Sequence, residues 1–206
     1  MLRIPPTLVV LLLLACASLR AERIDLWPED HPQITGLDAK QIPTLDLFPT
    51  EGEKSAPAVL VIPGGGYKHH STSAWQQAKH CQQRGISAFV VRYRLPSNGH
   101  QYPVPLEDAQ RAMRLIRHQA AKWNVDPQRL GVIGSSSGGH LASLLSNVND
   151  DGDANADDPI DRESCRPEFA ILISPVITFL KPHAHWPSRV RMLGGDPTYE
   201  QAQKIS

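Results

Sequence analysis

The chain has 206 residues, with 21 basic and 21 acidic side chains and a formal net charge of zero. This balance gives no reason to expect a nucleic acid or an anionic membrane surface as a partner. Apolar residues make up 41% of the chain, which suits one globular domain and excludes a disordered polymer.

Residues 1–21 are typical of a signal peptide. Arg3 supplies a positive charge, and residues 8–14 form an apolar core that is too short to be a stable transmembrane span. The mature chain is therefore predicted to be secreted or periplasmic, without a transmembrane segment. Alternatively, the sequence that ends in Cys16 resembles a bacterial lipoprotein box, and Cys16 would then carry a lipid anchor. The predicted domain covers residues 22–206.

Strand-like and helix-like patterns alternate along this domain. Residues 24–55 are rich in Pro, Asp and Gly, and predict an irregular or short antiparallel start of a sheet. The pattern then predicts a strand at 58–62, a helix at 73–84, a strand at 86–93, a helix at 106–123, a strand at 130–133, a helix at 137–146 and a strand at 169–174. Such alternation indicates an α/β protein with a mostly parallel sheet and helices on both faces.

The sequence Gly134-Ser135-Ser136-Ser137-Gly138 lies between a predicted strand and a predicted helix. In that context Gly-x-Ser-x-Gly predicts a nucleophile elbow. Gly134 and Gly138 would permit the tight turn, because a Cβ at either position would clash with the crossing backbone. Ser136 would then stand exposed as a nucleophile at a helix N-terminus, which stabilises negative charge. The alternative is a Ser- and Gly-rich turn that matches by chance.

A second motif, Pro63-Gly64-Gly65-Gly66-Tyr67, directly follows the apolar strand predicted at 58–62. Its bare backbone N–H groups suit an oxyanion hole, in which each donor is worth roughly 2.7–4 kcal/mol. The predicted donors are the N–H groups of Gly65, Gly66 and Ser137. The alternative is a phosphate or dinucleotide loop, but the glycine spacing of neither motif is present.

Together these stretches resemble the α/β-hydrolase superfamily, and in particular its lipase and acetylesterase branch, which includes acetylxylan esterases. The likeness spans residues 24–206 and includes the segments 105–112 and 123–132. Two departures are Pro63, where many relatives carry His, and Ser137, where Ala is more usual. Neither should abolish an oxyanion site that is built from backbone groups.

The resemblance implies a secreted serine esterase that hydrolyses acetyl esters of carbohydrate, such as acetylated xylan. The reaction would pass through an acyl-enzyme on Ser136 and would need no cofactor. Tyr67 and Trp75 are expected either to shape the acyl or sugar site, with Tyr67 binding substrate, or to pack in the core.

The catalytic acid and base of this fold follow the serine, in the order Asp or Glu and then His. After the elbow the sequence predicts only the strand at 169–174, so the domain is expected to lack C-terminal strands together with the triad Asp and His. An inactive scaffold that binds glycans without turnover is therefore one alternative, and a peptidase of the same fold is another.

The remaining histidines receive other roles. His140 is expected to be a structural hydrogen-bonding residue, because it follows Ser136 by one helical turn. His69 and His70 could contact substrate or lie in a solvated turn. His183 and His185 are expected to line the site or to lie on the surface, since no orienting acid precedes them.

No metal site is expected. The acidic loop at 150–161 resembles the start of a calcium loop, but Ala156 replaces the turn glycine and Arg162 replaces the bidentate Glu. We therefore predict a solvated loop. Export would place Cys81 and Cys165 in an oxidising compartment, where a disulfide between them could form. Whether they pair is left open.

Overall fold

The computed structural model describes residues 22–52 and 55–206. The predicted signal peptide and Cys16 lie outside the described residues. Among the helices of the described ranges, none combines the length and the apolar character needed to cross a membrane.

A six-stranded sheet forms the centre of the domain, in the order β1-β2-β4-β3-β5-β6. Strands β1 and β2 are antiparallel, as the predicted start of the sheet allowed, and β3 to β6 run parallel to one another where they pair. The strands are β1 Glu22–Asp25, β2 Thr44–Phe48, β3 Ala56–Ile62, β4 Ser87–Arg92, β5 Val125–Ser135 and β6 Ala170–Ile173. The predicted α/β architecture is confirmed.

Helices cover both faces of the sheet, because the central strands are apolar on both sides. In β3, Leu60 and Ile62 pack in the large core beside α2 and α3, whereas Val59 and Val61 pack against α1 on the other face. The helices are α1 Ser73–Gln82, α2 Val104–His118, α3 Ser137–Asn147, α4 Trp186–Leu193 and α5 Tyr199–Lys204.

Two predicted boundaries were wrong. Helix α2 ends at His118, five residues before the predicted end, and β5 begins at Val125 instead of residue 130. Pairing between Ala56 and Val125 extends the sheet toward α2, with an irregular register before Ala58. This long-range pairing has no signal in the local apolar pattern, which starts only at Leu130.

Strand β6 lies at the edge of the described sheet. Ile171, Leu172 and Ile173 are each more than 40% exposed. Within the described ranges β6 is the one strand that follows α3, in agreement with the predicted order of elements.

Arginines of α2 hold the acidic loop. Arg111 is almost fully buried and donates to Asp158 at 2.5 Å and to Asp161 at 2.7 Å. Arg114 donates to both carboxylate oxygens of Asp150. These carboxylates are bound by guanidinium groups, so the loop is attached to the domain more closely than a solvated loop would be.

The two cysteines of the described domain are both free thiols. Cys81 lies on α1, and Cys165 is buried beside Asp150. The open question of their pairing is thereby answered.

Candidate active site

The turn between β5 and α3 has the geometry of a nucleophile elbow. Ser136 adopts φ +53° and ψ −121°, an unfavourable conformation for a residue with a side chain. Its N–H donates to the Ile173 carbonyl at 3.0 Å, and its carbonyl accepts from the N–H groups of His140 and Val176. Ser136 is exposed, whereas Ser137 and Gly138 are buried. The turn therefore presents the Ser136 hydroxyl to solvent at the N-terminus of α3.

Backbone packs directly against backbone at this turn. A Cβ at Gly138 would overlap the Ile62 carbonyl oxygen, and a Cβ at Gly134 would overlap the Gly138 carbonyl oxygen. The predicted reason for both glycines is confirmed. A Cβ at Gly64 would lie 2.6 Å from the Ser135 carbonyl oxygen. The loop after β3 is therefore in contact with the elbow.

The glycine loop has its carbonyl groups bonded and its N–H groups free. The carbonyl of Gly64 accepts from Ser71 N–H at 2.9 Å, and that of Gly65 accepts from Lys68 N–H at 3.1 Å. Within the described residues, the N–H groups of Gly65 and Gly66 have no hydrogen-bond partner. In a trans peptide the N–H points away from the C=O, so fixing each carbonyl orients the following N–H group.

Helix α4 holds the third carbonyl of the loop. Arg191 Nη1 donates to the Gly66 carbonyl oxygen at 2.9 Å, across 125 positions of sequence. Its side chain also donates to Pro187 at 3.3 Å, within the same helix. This charge-assisted bond brings a guanidinium group next to the predicted oxyanion donors. Sequence reasoning missed Arg191, because nothing local marks it as a neighbour of Gly66.

Tyr67 joins the glycine loop to the helix of the elbow. Its φ of +61° is strained for a residue other than glycine, and its side chain is fully buried. The hydroxyl lies 2.7 Å from His140 Nδ1, and His140 Nε2 lies 2.6 Å from the Ile205 carbonyl oxygen. The Tyr67 ring therefore holds the loop from inside the core, and the expected substrate contact of this side chain is replaced by a structural one.

The hydrogen bonds of His140 fix its tautomer. The Ile205 carbonyl can only accept, so Nε2 carries the proton and Nδ1 accepts from the Tyr67 hydroxyl. Burial lowers the pKa of His140 to about 4, although the hydrogen bond to the Ile205 carbonyl by itself would raise it. His140 is thus a neutral structural residue, as the sequence indicated.

An open cavity of about 530 Å³ lies in front of the elbow. Ser136, Ser174, His183 and His185 contribute to its wall. His183 and His185 therefore line the site, which was one of the two expectations. His185 Nδ1 lies 2.8 Å from Ser188 Oγ. Within the described residues, no histidine nitrogen lies within hydrogen-bond distance of Ser136 Oγ.

Trp75 lies away from this cavity. Its Nε1 donates to Asp46 at 2.6 Å, and the Arg92 guanidinium lies 4.2 Å from the centre of its ring. Trp75 therefore packs between α1 and β2, and packing was one of the two expectations for this side chain.

The fold and the elbow define the chain as an α/β-hydrolase. The sequence model of the BD-FAE family matches residues 45–185, and the chain belongs to this family. Helix α4, which carries Arg191, lies beyond the matched residues.

Characterised proteins agree with this assignment. The chain is 34% identical to the acetylxylan esterase of Xylanibacter ruminicola over 68% of its own length and 27% of that protein. It is 36% identical to endo-1,4-beta-xylanase B of Butyrivibrio fibrisolvens over 80% of its own length and 26% of that protein. The chain thus spans about a quarter of the length of these relatives.

A solved structure is also similar. The acetyl ester-xyloside bifunctional hydrolase of Caldicellulosiruptor lactoaceticus superposes with a TM-score of 0.84 at 39% identity, covering 91% of this chain and 68% of that one. The propionate-bound Est2 esterase of Thermogutta terrifontis superposes with a TM-score of 0.65 at 25% identity, covering 90% of this chain and 65% of that one.

Replacing Gly138 by Ala should disrupt the elbow. The new methyl group would meet the Ile62 carbonyl, so the strand or the helix must move, at a cost of about 1–3 kcal/mol or more. We expect a lower urea midpoint for unfolding. Gly195 is the matched control, because a Cβ there meets no atom within 4 Å. An unchanged midpoint for Gly138→Ala would contradict the described packing.

Stability should fall as the pH drops from about 6.5 to about 4. The unfolded chain protonates His140 near its ordinary pKa of 6.5, whereas the folded chain does so only near 4. Between these values the unfolded state binds more protons, which costs the fold up to about 3 kcal/mol. Burial also lowers the pKa of His70 to about 4, which acts in the same direction.

Urea unfolding at intervals between about pH 7 and about pH 4.5 measures this slope. The carboxylates with lowered pKa, such as Asp46, lose their contribution below 3.8 and so act outside this window. A His140→Gln variant should show a shallower slope. Equal slopes for the two proteins would show that His140 is not held neutral.

Proposed function

We propose that this chain is a serine carboxylic-ester hydrolase that acts on acetyl esters of carbohydrate, with acetylated xylan as the leading substrate. The observation that carries the proposal is the contact between the glycine loop and the elbow. The loop, whose N–H groups are free, contacts the turn that carries the exposed Ser136 at a helix N-terminus, and this contact supports the proposal. Such an arrangement suits a nucleophile and the oxyanion that it generates.

In this mechanism Ser136 Oγ attacks the carbonyl carbon of the ester. The hydroxyl proton passes to a base, and the carbonyl oxygen becomes an oxyanion that accepts from the N–H groups of Gly65, Gly66 and Ser137. The sugar hydroxyl then leaves with a proton, and water hydrolyses the acyl-enzyme. The positive end of α3 and the Arg191 guanidinium both favour the negative charge that develops.

The substrate class is supported by the relatives. One similar protein is an acetylxylan esterase, another is a xylanase, and a similar structure is that of an acetyl ester-xyloside hydrolase. Residues 1–21 support export of the enzyme to the compartment in which polysaccharides are degraded, with a lipid anchor at Cys16 as the alternative.

A second candidate is a scaffold that binds acylated glycans without turnover. The observation that favours it is that no histidine of the described residues is hydrogen-bonded to Ser136. His183 and His185 line the same cavity, but neither is hydrogen-bonded to Ser136 among the described residues. Reaction of Ser136 with a fluorophosphonate separates the two candidates, because a serine without a base reacts slowly.

Ser136→Ala should abolish fluorophosphonate labelling and lower p-nitrophenyl acetate hydrolysis by three orders of magnitude or more, on the scale known for nucleophile removal. Mass spectrometry of the labelled chain should place the adduct on Ser136. Ser143→Ala, in the same helix α3, is the matched control and should keep full labelling. Equal activity of the Ser136→Ala variant and the wild type would rule out this nucleophile.

Arg191→Gln should lower kcat about tenfold with little change in KM. The bond from Arg191 to Gly66 orients a loop whose donors act mainly in the transition state, and a single such donor is worth about 10²–10³ in kcat. Arg191→Lys should restore part of the loss. Arg84→Gln removes an arginine from the turn that follows α1, one that donates to the His80 carbonyl on the surface, and should have no effect. A rise in KM at constant kcat would refute this role.

A further inference from the structure

A second cavity, of about 320 Å³, opens where β4 ends and β2 begins. Its basic wall is formed by Arg23, Lys40, Arg92 and Arg94. Within the described part of the chain, no Asp or Glu side chain lines it. This concentration of positive charge stands out in a chain whose formal net charge is zero.

The nearby carboxylates compensate only part of this charge. Asp46 accepts from Arg23 at 2.5 Å, from Arg92 at 3.0 Å and from Trp75. One carboxylate thus serves two guanidinium groups. Arg94 is fully compensated by Asp108, to which it donates from both Nε and Nη2. Lys40 Nζ and the two Nη groups of Arg92 have no hydrogen-bond partner among the described residues.

The surrounding side chains hold these donors in place. Arg92 is stacked on the Trp75 ring, and Arg94 is only 4% exposed. His70 Nε2 donates to the Tyr93 carbonyl at 3.0 Å. Thr44, which also lines the cavity, has a buried Oγ1 without a hydrogen-bond partner in the described ranges. The free Nη groups of Arg92 are therefore fixed donors in the wall, whereas the side-chain nitrogens of Arg94 are used by Asp108 and Gln33.

This cavity lies beside the segments that hold the glycine loop. His70 lines the cavity and directly precedes Ser71, whose N–H closes the loop onto Gly64. Asn98 also lines the cavity, and its neighbour Ser97 donates to the Tyr67 carbonyl at 3.2 Å. The glycine loop follows β3, and the cavity lies where the neighbouring strand β4 ends, so both are at the carboxyl ends of adjacent parallel strands.

We propose that this cavity binds the carboxylate of a uronic acid carried by the carbohydrate. Planar guanidinium and ammonium donors suit a carboxylate, the volume suits one small ligand, and the amides of Gln41 and Asn98 suit sugar hydroxyl groups. Binding of the uronic acid does not depend on the proposed esterase activity. The role of the cavity as a subsite for acidic, acylated oligosaccharides rests on it.

Calorimetric titration of the whole chain with D-glucuronate tests the binding. We expect D-glucose and the methyl ester of glucuronic acid to bind at least about fivefold more weakly, since they lack the charge. Raising the ionic strength from about 0.01 M to about 1 M should also weaken glucuronate binding. Equal affinities for glucuronate and glucose would overturn the proposal. Equal affinities for glucuronate, acetate and inorganic phosphate would overturn the assignment to a sugar.

Lys40→Gln should weaken glucuronate binding about three- to fivefold. Lys40 is exposed, so the variant should keep its unfolding midpoint. Lys79→Gln, an exposed lysine outside the lining of this cavity, is the matched control and should bind like the wild type. Arg92→Gln is the second variant and should weaken binding further. Unchanged binding by both cavity variants would overturn the site.

A kinetic comparison then tests the subsite. The ratio of kcat/KM for acetylated xylo-oligosaccharides with and without a glucuronic acid branch should exceed one, and should fall toward one in Lys40→Gln. If glucuronate binds but the ratio is one, the cavity is not a substrate subsite. If neither substrate is hydrolysed, the proposed esterase activity fails, and the subsite role fails with it, while uronic acid binding stands on the titration.

Discussion

The site depends on the direct approach of two backbones. The loop after β3 lies against the turn after β5 so closely that a single methyl group at Gly138 or Gly64 would meet a carbonyl oxygen. The close approach brings the glycine loop into contact with the turn that carries the exposed Ser136. Because parallel strands β3 and β5 are direct neighbours, their carboxyl ends deliver both segments to the same edge.

The orientation of the loop comes from two kinds of interaction. Local backbone bonds fix the carbonyl groups of Gly64 and Gly65, whereas distant side chains fix the rest. Arg191 holds Gly66 from α4, and His140 holds the Tyr67 hydroxyl from α3. Contacts from several elements therefore stabilise the strained conformations of Tyr67 and Ser136. A fold can maintain local strain when the surrounding structure holds the residue in place.

Ion pairs compensate some charged side chains of the domain and leave others uncompensated. In the acidic loop, Asp150, Asp158 and Asp161 are paired with arginines of α2, so these three carboxylates attach the loop to the domain. On β2, Asp46 is shared by two guanidinium groups, which leaves positive charge in the cavity at the carboxyl end of β4. Although the formal net charge is zero, this cavity is basic. It is the place at which an acidic oligosaccharide would bind.

The sequence by itself determined the architecture, the elbow and the glycine loop, because each rests on local information: apolar runs, helical spacing, and glycines where a side chain has no room. It also indicated the structural role of His140 from its spacing to Ser136. Only the tertiary structure decided that Tyr67 points inward, that Trp75 lies away from the site, and that Arg191 reaches Gly66. Those contacts join segments distant in sequence, and such contacts leave no periodic signal in the chain.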